Sequence, residues 1–136
     1  METIFSKILT REIPADIVYE DEKVLAFLDI SPINPGHTLV IPKEYFKNIF
    51  DGNSETLSHM VRVGQKIAKA LMETGLADGV NLIMNNGEAA GQIVRHSHLH
   101  VIPRRTGDEA FPKPKHADCT VEQFAAVKTK LTESLG

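Results

Sequence analysis

Apolar positions recur along the chain with two different periods, one helical and one strand-like. At the N-terminus they follow a helical spacing that stops before Pro14, and this predicts a short helix carrying Ile4, Phe5, Ile8 and Leu9. The runs DIVYE (16–20) and VLAFLD (24–29) are rich in β-branched or aromatic residues and are separated by an acidic turn. They predict a β-hairpin, and HTLVIP (37–42) predicts a third strand that ends at Pro42.

A longer helical pattern begins after Asn53 or Ser54, either of which suits an N-cap, and runs to about Thr74. Gly75 is suited to end it. We expect one face of this helix to be buried, and the apolar residues of that face are Leu57, Met60, Val61, Gly64, Ile67, Ala68 and Leu71.

The second half of the chain predicts two more strands and a terminal helix. VNLIMN (80–85) has the uninterrupted apolar character of a buried strand, and SHLHVIP (97–103) ends at a proline. Strands separated by short turns, with helices between groups of strands, favour an α+β fold. It would have an antiparallel sheet, one long helix, a short N-terminal helix and a C-terminal helix. The C-terminal helix begins at Thr120, and its apolar face carries Val121, Phe124, Val127, Leu131 and Leu135.

The amino-acid composition mainly excludes some classes of protein. With 136 residues, of which 42% are hydrophobic and 24% charged, the chain has the size and content of one globular domain. A net charge of −3, with acids and bases interleaved, gives no support for a nucleic-acid or anionic membrane surface. Cys119 is the only cysteine, and no apolar run is long enough to span a membrane. We therefore expect a cytoplasmic protein without nucleic-acid or membrane partners.

Three histidines occupy every second position of RHSHLHVIPR (95–104), namely His96, His98 and His100. On a strand they would point to one face, whereas Leu99 and Val101 would point to the other, towards the core. A polar, solvent-facing strand is one interpretation, and the strict alternation of three imidazoles disfavours it.

Two chemical interpretations remain open for this segment. In the first interpretation the histidines bind a metal ion. At ~3.3 Å per residue along a strand, the backbone positions of His96 and His100 are about 13 Å apart, too far to share one ion easily. Two of the three histidines together with His37 suffice for such a site. For covalent catalysis, a neutral imidazole is a good nucleophile near pH 7 when its other nitrogen is held. The preceding loop NNGEAAGQ (85–92) contains two glycines and offers backbone N–H groups to a phosphate, or forms only a hairpin loop.

These motifs together resemble one known family. HSHLHV (96–101) is similar to the His-x-His-x-His signature of the histidine triad (HIT) superfamily. TIFSKILTREIPADIVYEDEKVLAFLDISPINPGHTLVIPKEY (3–45) resembles the N-terminal half of its Hint branch, and MNNGEAAGQ (84–92) stands where that branch has a glycine-containing phosphate loop. The resemblance extends from about Thr3 to Arg104. It implies a single HIT-like domain over residues 1–136, in which residues 104–136 are a C-terminal extension of the same domain.

The resemblance implies a nucleotidyl hydrolase that cleaves purine nucleoside phosphoramidates through a nucleotidyl-histidine intermediate, an activity of the adenosine 5'-monophosphoramidase type. His98 would be the nucleophile, His100 would contact the phosphate, and His96 and His37 would support the histidine network. The enzyme would be a homodimer whose sheets join across the subunit boundary, with a purine nucleotide or nucleoside phosphoramidate as its ligand. A dinucleoside polyphosphate hydrolase, or a nucleotide-binding regulatory protein with weak turnover, is the alternative.

The same resemblance assigns a nucleotide-binding set around the triad. Asp29 would bind the ribose hydroxyls, although an aspartate there equally caps the DISP turn. The residues around the base would be Phe5, Ile8, Ile13, Phe27, Ile30 and Leu39, several of which also suit the core. Those near the phosphate and leaving group would be Asn85, Gly91, Gln92, His98 and His100.

The chain departs from the family pattern in two places. Many bacterial relatives hold zinc with two cysteines, a histidine after the VIPK strand and the first triad histidine. Here the first three places are Thr3, Ser6 and Tyr45, so we expect no structural zinc and no cofactor. The family usually has Ser or Thr where this chain has Ile93, and losing one hydroxyl donor predicts slower turnover or a different leaving group.

Overall fold

One five-stranded antiparallel sheet organises the protein. The structure is a computed structural model that describes residues 2–136. In chain order the elements are α1 (Ile4–Leu9), β1 (Ile17–Glu20), β2 (Val24–Leu28), β3 (Thr38–Pro42), α2 (Ser54–Glu73), β4 (Gly79–Ile83), a short 3-10 helix (Glu88–Ala90), β5 (Leu99–Arg104) and α3 (Val121–Leu135). The strand order is β1-β2-β3-β5-β4, and every neighbouring pair is antiparallel. The expected α+β fold, with its hairpin and three helices, is therefore confirmed.

Both faces of the central strands are covered, which explains why their sequences are almost continuously apolar. In β2 and β3 the side chains alternate between two clusters. The cluster under α2 contains Val24, Ala26, Val40, Phe46, Met60, Val63, Leu71, Ala77, Leu99 and Val101. The cluster on the opposite face, under α1, contains Phe5, Ile8, Leu25, Phe27, Leu39 and Ile41.

Helix α2 is capped as its sequence predicts, and it buries the predicted face except at Val61. Asn53 is the N-cap, and its Oδ1 accepts from the N–H groups of Glu55 and Thr56. Val61 is 50% exposed, whereas Val63, absent from the predicted face, is 1% exposed. The buried face also includes Thr56, a polar residue in line with Met60 and Val63 at positions i, i+4 and i+7, which is why the apolar pattern omitted this side of the face.

Gly64 permits α2 to lie close to the sheet. A Cβ atom at this position would lie 3.0 Å from Cδ2 of Leu99 in β5. The small side chain therefore serves packing within one subunit, where the helix meets β5.

Strand β4 is an edge strand, so its prediction as a buried strand was wrong. It pairs only with β5, and Leu82 is 42% exposed. Its apolar run resembles that of a buried strand because the sequence pattern does not show whether a strand is paired on one side or on both. None of the helices among residues 2–136 combines the length and apolar content needed to cross a membrane.

Helix α3 forms where the sequence predicts it, with Thr120 and Gln123 as a capping box, but it has no buried residue. Its apolar face is between 51% and 83% exposed, at Val121, Phe124, Val127, Leu131 and Leu135. The amphipathic pattern therefore correctly predicts a helix, but its apolar face is not buried against the rest of the described chain.

The different burial of Val61 and Val63 on α2 predicts unequal costs for their truncation. Val63→Ala should lower the free energy of unfolding by about 1–3 kcal/mol, because it removes buried methyl groups and leaves a cavity. Val61→Ala is the matched control, with the same chemical change in the same helix, and should change the free energy by less than about 0.5 kcal/mol. Urea denaturation measures both, and equal losses would contradict the observed face.

Candidate active site

The three alternating histidines lie at the start of β5, and only His100 belongs to the strand. The pairing of β5 with β3 begins at Leu99, opposite Val40, so the prediction of a continuous strand through all three was wrong. Residues 96–98 leave the ladder because the N–H of Ser97 donates to the carbonyl of Phe46, 2.9 Å away. The rings of His98 and His100 nevertheless adjoin each other, with centroids 5.0 Å apart.

The His98 ring is fixed by a bond to its own backbone. Nδ1 lies 2.7 Å from the carbonyl oxygen of His96, and since a carbonyl only accepts, Nδ1 carries the proton. No side chain or backbone group among residues 2–136 bonds Nε2, and every fully buried side-chain nitrogen or oxygen in that range has a partner. Nε2 is therefore reached by solvent, although the residue is only 7% exposed. In the neutral ring this nitrogen holds the free lone pair.

A second chain of hydrogen bonds sets the tautomers of His37 and His100. The backbone N–H of Ile33 donates to Nδ1 of His37 at 3.1 Å, so the neutral His37 ring carries its proton on Nε2. That proton is directed to Nδ1 of His100, 2.9 Å away. His100 in turn carries its proton on Nε2, which has no partner among residues 2–136 and is available to donate.

His96 is held at both ring nitrogens and is 1% exposed. Nε2 lies 3.3 Å from the carbonyl oxygen of Pro42, the last residue of β3, and Nδ1 lies 2.9 Å from Oγ1 of Thr3. The rings of Phe5 and Tyr45 contact the imidazole edge to face, with centroids at 5.8 and 5.2 Å. Sequence reasoning placed Thr3 only as a departure from a zinc pattern and missed this contact.

Burial keeps all four imidazoles neutral near pH 7. Removal from water lowers the pKa values of His37, His96 and His98 below the ordinary 6.5. For His100, burial and the nearby rings of His98 and His37 lower the pKa to about 4. The cluster therefore offers one free lone pair, on His98, beside one neutral N–H donor, on His100.

Asp29 adjoins this cluster and also caps a turn. Its Oδ1 accepts from the N–H of Ser31 at 2.9 Å, which is the turn-capping role considered as its alternative. Its Oδ2 lies 3.7 Å from Nε2 of His37. One carboxylate oxygen thus stabilises the loop, and the other faces the histidines.

The apolar residues predicted around a nucleoside base divide into three groups. Phe5, Ile8, Phe27 and Leu39 are buried together in the cluster under α1, where the Phe5 ring lies 5.0 Å from that of His98. Ile13 packs against the edge of the same cluster. Ile30 instead projects from the DISP turn and is 89% exposed, so the structure does not bring it into the cluster.

The loop before the triad is held by Gln92, whose amide has protein partners at both ends. Oε1 accepts from Asn48 Nδ2 and from the N–H of Gly87, and Nε2 donates to the carbonyls of Lys47 and Val94. Gln92 is buried and lies behind the loop. Asn48, which the sequence pattern did not single out, is its buried partner, and an isolated asparagine in YFKNIF carries no signal for that role.

Two glycines allow the loop to turn. Gly87 and Gly91 have φ angles of +94° and +87°, a conformation that other residues rarely adopt. Asn85 is half-buried at the start of the loop, and Ile93 at its end is 91% exposed. The N–H of Ile93 has no protein acceptor among residues 2–136, so this backbone group is available to an anion although its side chain donates nothing.

Neither cluster of possible metal ligands fits a metal well. Asp29, His37 and His100 present ligand atoms within 4.8 Å of one another. However, the Ile33 N–H occupies Nδ1 of His37, so its Nε2 carries a proton and donates rather than ligates. Around His96, the Thr3 hydroxyl bonds the ring, and the hydroxyls of Thr3 and Ser6 bond each other's backbone, so this group offers hydroxyls already in use and no thiolate.

Stability is expected to fall as the pH drops below about 6.5, the ordinary histidine value. The folded protein lowers the pKa of four imidazoles, so the unfolded chain takes up protons first. The stability contributed by the neutral rings is complete above 6.5 and is lost as the pH falls through the folded values, about 4 for His100. The thermal midpoint, measured between about pH 8 and pH 5, should decline. His116→Gln, which removes an exposed ring, should leave the slope unchanged. A constant midpoint would contradict the buried, neutral cluster.

Comparison with known proteins agrees with this fold. The HIT domain family model matches residues 10–107. An uncharacterised HIT-like protein of Methanocaldococcus jannaschii is 49% identical over 105 residues, which cover 77% of this chain and 81% of that protein. A HIT family crystal structure from Bacillus subtilis is 37% identical, covers 100% of this chain and 99% of its own, and has a TM-score of 0.89. A zinc-bound histidine triad protein from Mycobacterium smegmatis is 42% identical, covers 98% of each chain and has a TM-score of 0.78. The chain belongs to the HIT family, within a superfamily of nucleotide-binding hydrolases and transferases.

Proposed function

We propose that the protein is a nucleotidyl hydrolase that cleaves purine nucleoside phosphoramidates of the adenosine 5'-monophosphoramidate type at the P–N bond. The observation that carries the proposal is the state of His98. Its Nδ1–H is tied to the His96 carbonyl, its Nε2 is open, and burial lowers its pKa, so a neutral nucleophile is present at physiological pH.

In the first chemical step Nε2 of His98 attacks the α-phosphorus, and the P–N bond breaks. The departing amine takes a proton from water or a neighbouring imidazole, and a nucleotidyl-histidine remains. The ring gains positive charge as the new P–N bond forms. The His96 carbonyl, 2.7 Å from Nδ1, stabilises that charge without moving.

In the second step water attacks the same phosphorus, His98 leaves, and a nucleoside monophosphate is released. The net reaction consumes one water and yields the amine and the monophosphate. His100 donates its Nε2–H to a phosphate oxygen in both steps, because the Ile33–His37 chain keeps that proton outward. The N–H groups of Gly91 and Gln92 donate within the loop, so the N–H of Ile93 is the loop donor that would face the phosphate.

Nucleoside binding follows from the surroundings of the triad. Asp29 Oδ2 is placed beside His37 and His100, where it would accept from ribose hydroxyls. We assign the base to the apolar wall formed by Phe5, Ile8, Ile13, Phe27 and Leu39, with the exposed Ile30 covering it once a nucleotide is bound. In this scheme Asn85 and Gln92 act by shaping the loop near the phosphate.

A dinucleoside polyphosphate is a second candidate substrate, favoured by one pocket. A cavity of about 450 Å³ is lined by Lys47, Gly87, Glu88, Gln92, Ile93 and Arg95, so it adjoins the loop that leads into the triad. The Lys47 ammonium and the Arg95 guanidinium are in no ion pair among the described residues, and they suit a second phosphate group. Lys113 and Lys115 also carry positive charge for a second nucleotide, but they lie exposed in the segment before α3.

A nucleotide-binding protein with weak turnover remains the third candidate because of Ile93. Its side chain is 91% exposed at the loop end and offers no hydrogen-bond donor to a leaving group. The intact His98 arrangement argues for turnover, and only a kinetic measurement separates a slow enzyme from a binding protein.

Homodimerisation and a cytoplasmic location complete the proposal. The free edge of β4 offers unpaired backbone groups to a second copy, and exposed apolar residues flank it on α2, as at Met72, which is 48% exposed. The apolar face of α3 also lacks an intrachain partner. The single, exposed Cys119 fits a reducing compartment.

Turnover of a fluorogenic adenosine phosphoramidate should continue for many equivalents per protein and should collapse in His98→Ala. We expect kcat/KM to fall by about 10⁴-fold or more, because the nucleophile itself is removed. His116→Ala, an exposed histidine outside the site, is the control. Assays run without added metal, alongside a diadenosine polyphosphate at equal concentration, also rank the first two candidates.

Failure of the wild-type protein to exceed one turnover on either substrate, while nucleotide still binds, would contradict the hydrolase and favour the binding protein. Equal rates for wild type and His98→Ala would contradict covalent catalysis by this residue.

The dimer should sediment at low micromolar concentration with twice the 15.0 kDa mass of the chain. An interface that includes the β4 edge should be weakened by Leu82→Asp, because it places a charge on an exposed apolar position of that strand. Val18→Asp is the control, since Val18 is 51% exposed on β1, at the opposite edge of the sheet. A wild-type protein that sediments only as a monomer would contradict the assignment.

A further inference from the structure

We propose that Thr3 is a positioning residue for the candidate active site, whose hydroxyl donates to Nδ1 of His96 and thereby fixes the peptide that orients His98. The proposal rests on the proposed function only in taking His98 as the nucleophile. Thr3 is remote in sequence, 93 residues before His96, and its side chain is the N-cap of α1.

The direction of each hydrogen bond follows from the groups involved. The Pro42 carbonyl only accepts, so the neutral His96 ring carries its proton on Nε2, 3.3 Å from that oxygen. Nδ1 is then an acceptor, and the Thr3 hydroxyl, 2.9 Å away, must be the donor. The same oxygen accepts from the N–H of Ser6 at 3.1 Å, so both sides of the hydroxyl are used.

Thr3 influences the orientation of His98 through the peptide group of His96. The carbonyl that receives Nδ1–H of His98 belongs to His96, and the His96 ring is bonded at both nitrogens and enclosed by Phe5 and Tyr45. Without the Thr3 hydroxyl, a buried acceptor would lose its partner, and the ring could relieve this by changing tautomer or turning. Either change alters the backbone segment that holds His98.

The competing role for Thr3 is only to cap α1. Thr3 and Ser6 form a capping box, in which the N–H of Thr3 also donates to Oγ of Ser6 at 2.7 Å. Thr3→Asp separates the two roles. An ionised aspartate accepts from the Ser6 N–H and is a good N-cap, but it has no proton to give to His96.

The experiment compares four variants of the full chain by kcat and KM on the adenosine phosphoramidate. Thr3→Val and Thr3→Asp should lower kcat by about ten- to hundredfold with little change in KM, because the nucleophile is misplaced while the nucleotide still binds. Thr3→Ser, which keeps the hydroxyl, should restore kcat to within about twofold of wild type. Ser6→Ala weakens the cap of α1 but leaves the bond between Thr3 and His96, so its kcat should also stay within about twofold of wild type. Thermal unfolding confirms that each variant is folded at the assay temperature.

A second measurement is independent of activity. Long-range ¹H–¹⁵N spectra of the imidazoles should show His96 as the Nε2–H tautomer in wild type, Thr3→Ser and Ser6→Ala, and should show a mixed or protonated ring in Thr3→Val and Thr3→Asp. Wild-type kcat in Thr3→Asp would overturn the proposal, as would an unchanged His96 tautomer in both Thr3→Val and Thr3→Asp. If the wild-type protein turns over no phosphoramidate, the proposed function fails separately, and the tautomer spectra alone decide the role of Thr3.

Discussion

The hydrogen bond between Nδ1 of His98 and the carbonyl of His96 is the contact on which the chemistry of the site depends. It joins residues only two positions apart, so it costs little chain entropy to form. Its carbonyl, however, points correctly only because distant groups hold the segment. The Phe46 carbonyl accepts from Ser97, and the Tyr45 hydroxyl donates to the Arg95 carbonyl at 2.6 Å. Because distant groups support this local bond, the His98 imidazole is oriented before a ligand arrives.

Neutrality is the second constraint, and it explains the number of backbone groups around the imidazoles. Charged rings packed 5.0 Å apart in a poorly hydrated site would repel one another and lose solvation. Neutral rings avoid both costs, but in each ring the proton must be held on one particular nitrogen. Ile33 supplies a donor, whereas Pro42 and His96 supply acceptors, and each backbone group has a fixed role. The ionic state and the hydrogen-bond directions of the cluster thus follow from one another.

The sequence predicted the parts of the structure that depend on periodic patterns. The hairpin, strand β3, helix α1 and the caps of α2 all follow from apolar spacing and turn residues. The predictions that were wrong depended on what lies beside an element. Alternation of His96, His98 and His100 could not reveal that Ser97 bonds Phe46, so that strand β5 begins only at Leu99. The edge position of β4 and the exposure of α3 are likewise properties of neighbours.

The candidate site shows the same division. His98, His100 and His37 were assigned from their motif, and the structure brings them together with Asp29. The direction of the Ile33–His37–His100 chain was beyond the sequence, because it depends on which loop N–H faces one ring nitrogen. The anchoring of Gln92 by Asn48 was missed for the same reason. Residue types indicate which chemistry is available, but only the surrounding backbone fixes where each proton lies.

The hydroxyl that holds His96 connects these two constraints. A zinc ion bound by His96 would fix that ring by a coordinate bond and would place a metal centre two residues from His98. In this chain Thr3 and Pro42 fix the same ring through neutral hydrogen bonds. The pKa of His98 is therefore governed by its burial and by its bond to the His96 carbonyl, with Asp29 as the nearby acid. Support for His96 by a hydroxyl and a carbonyl thus leaves the electrostatics of His98 to the groups of the protein itself.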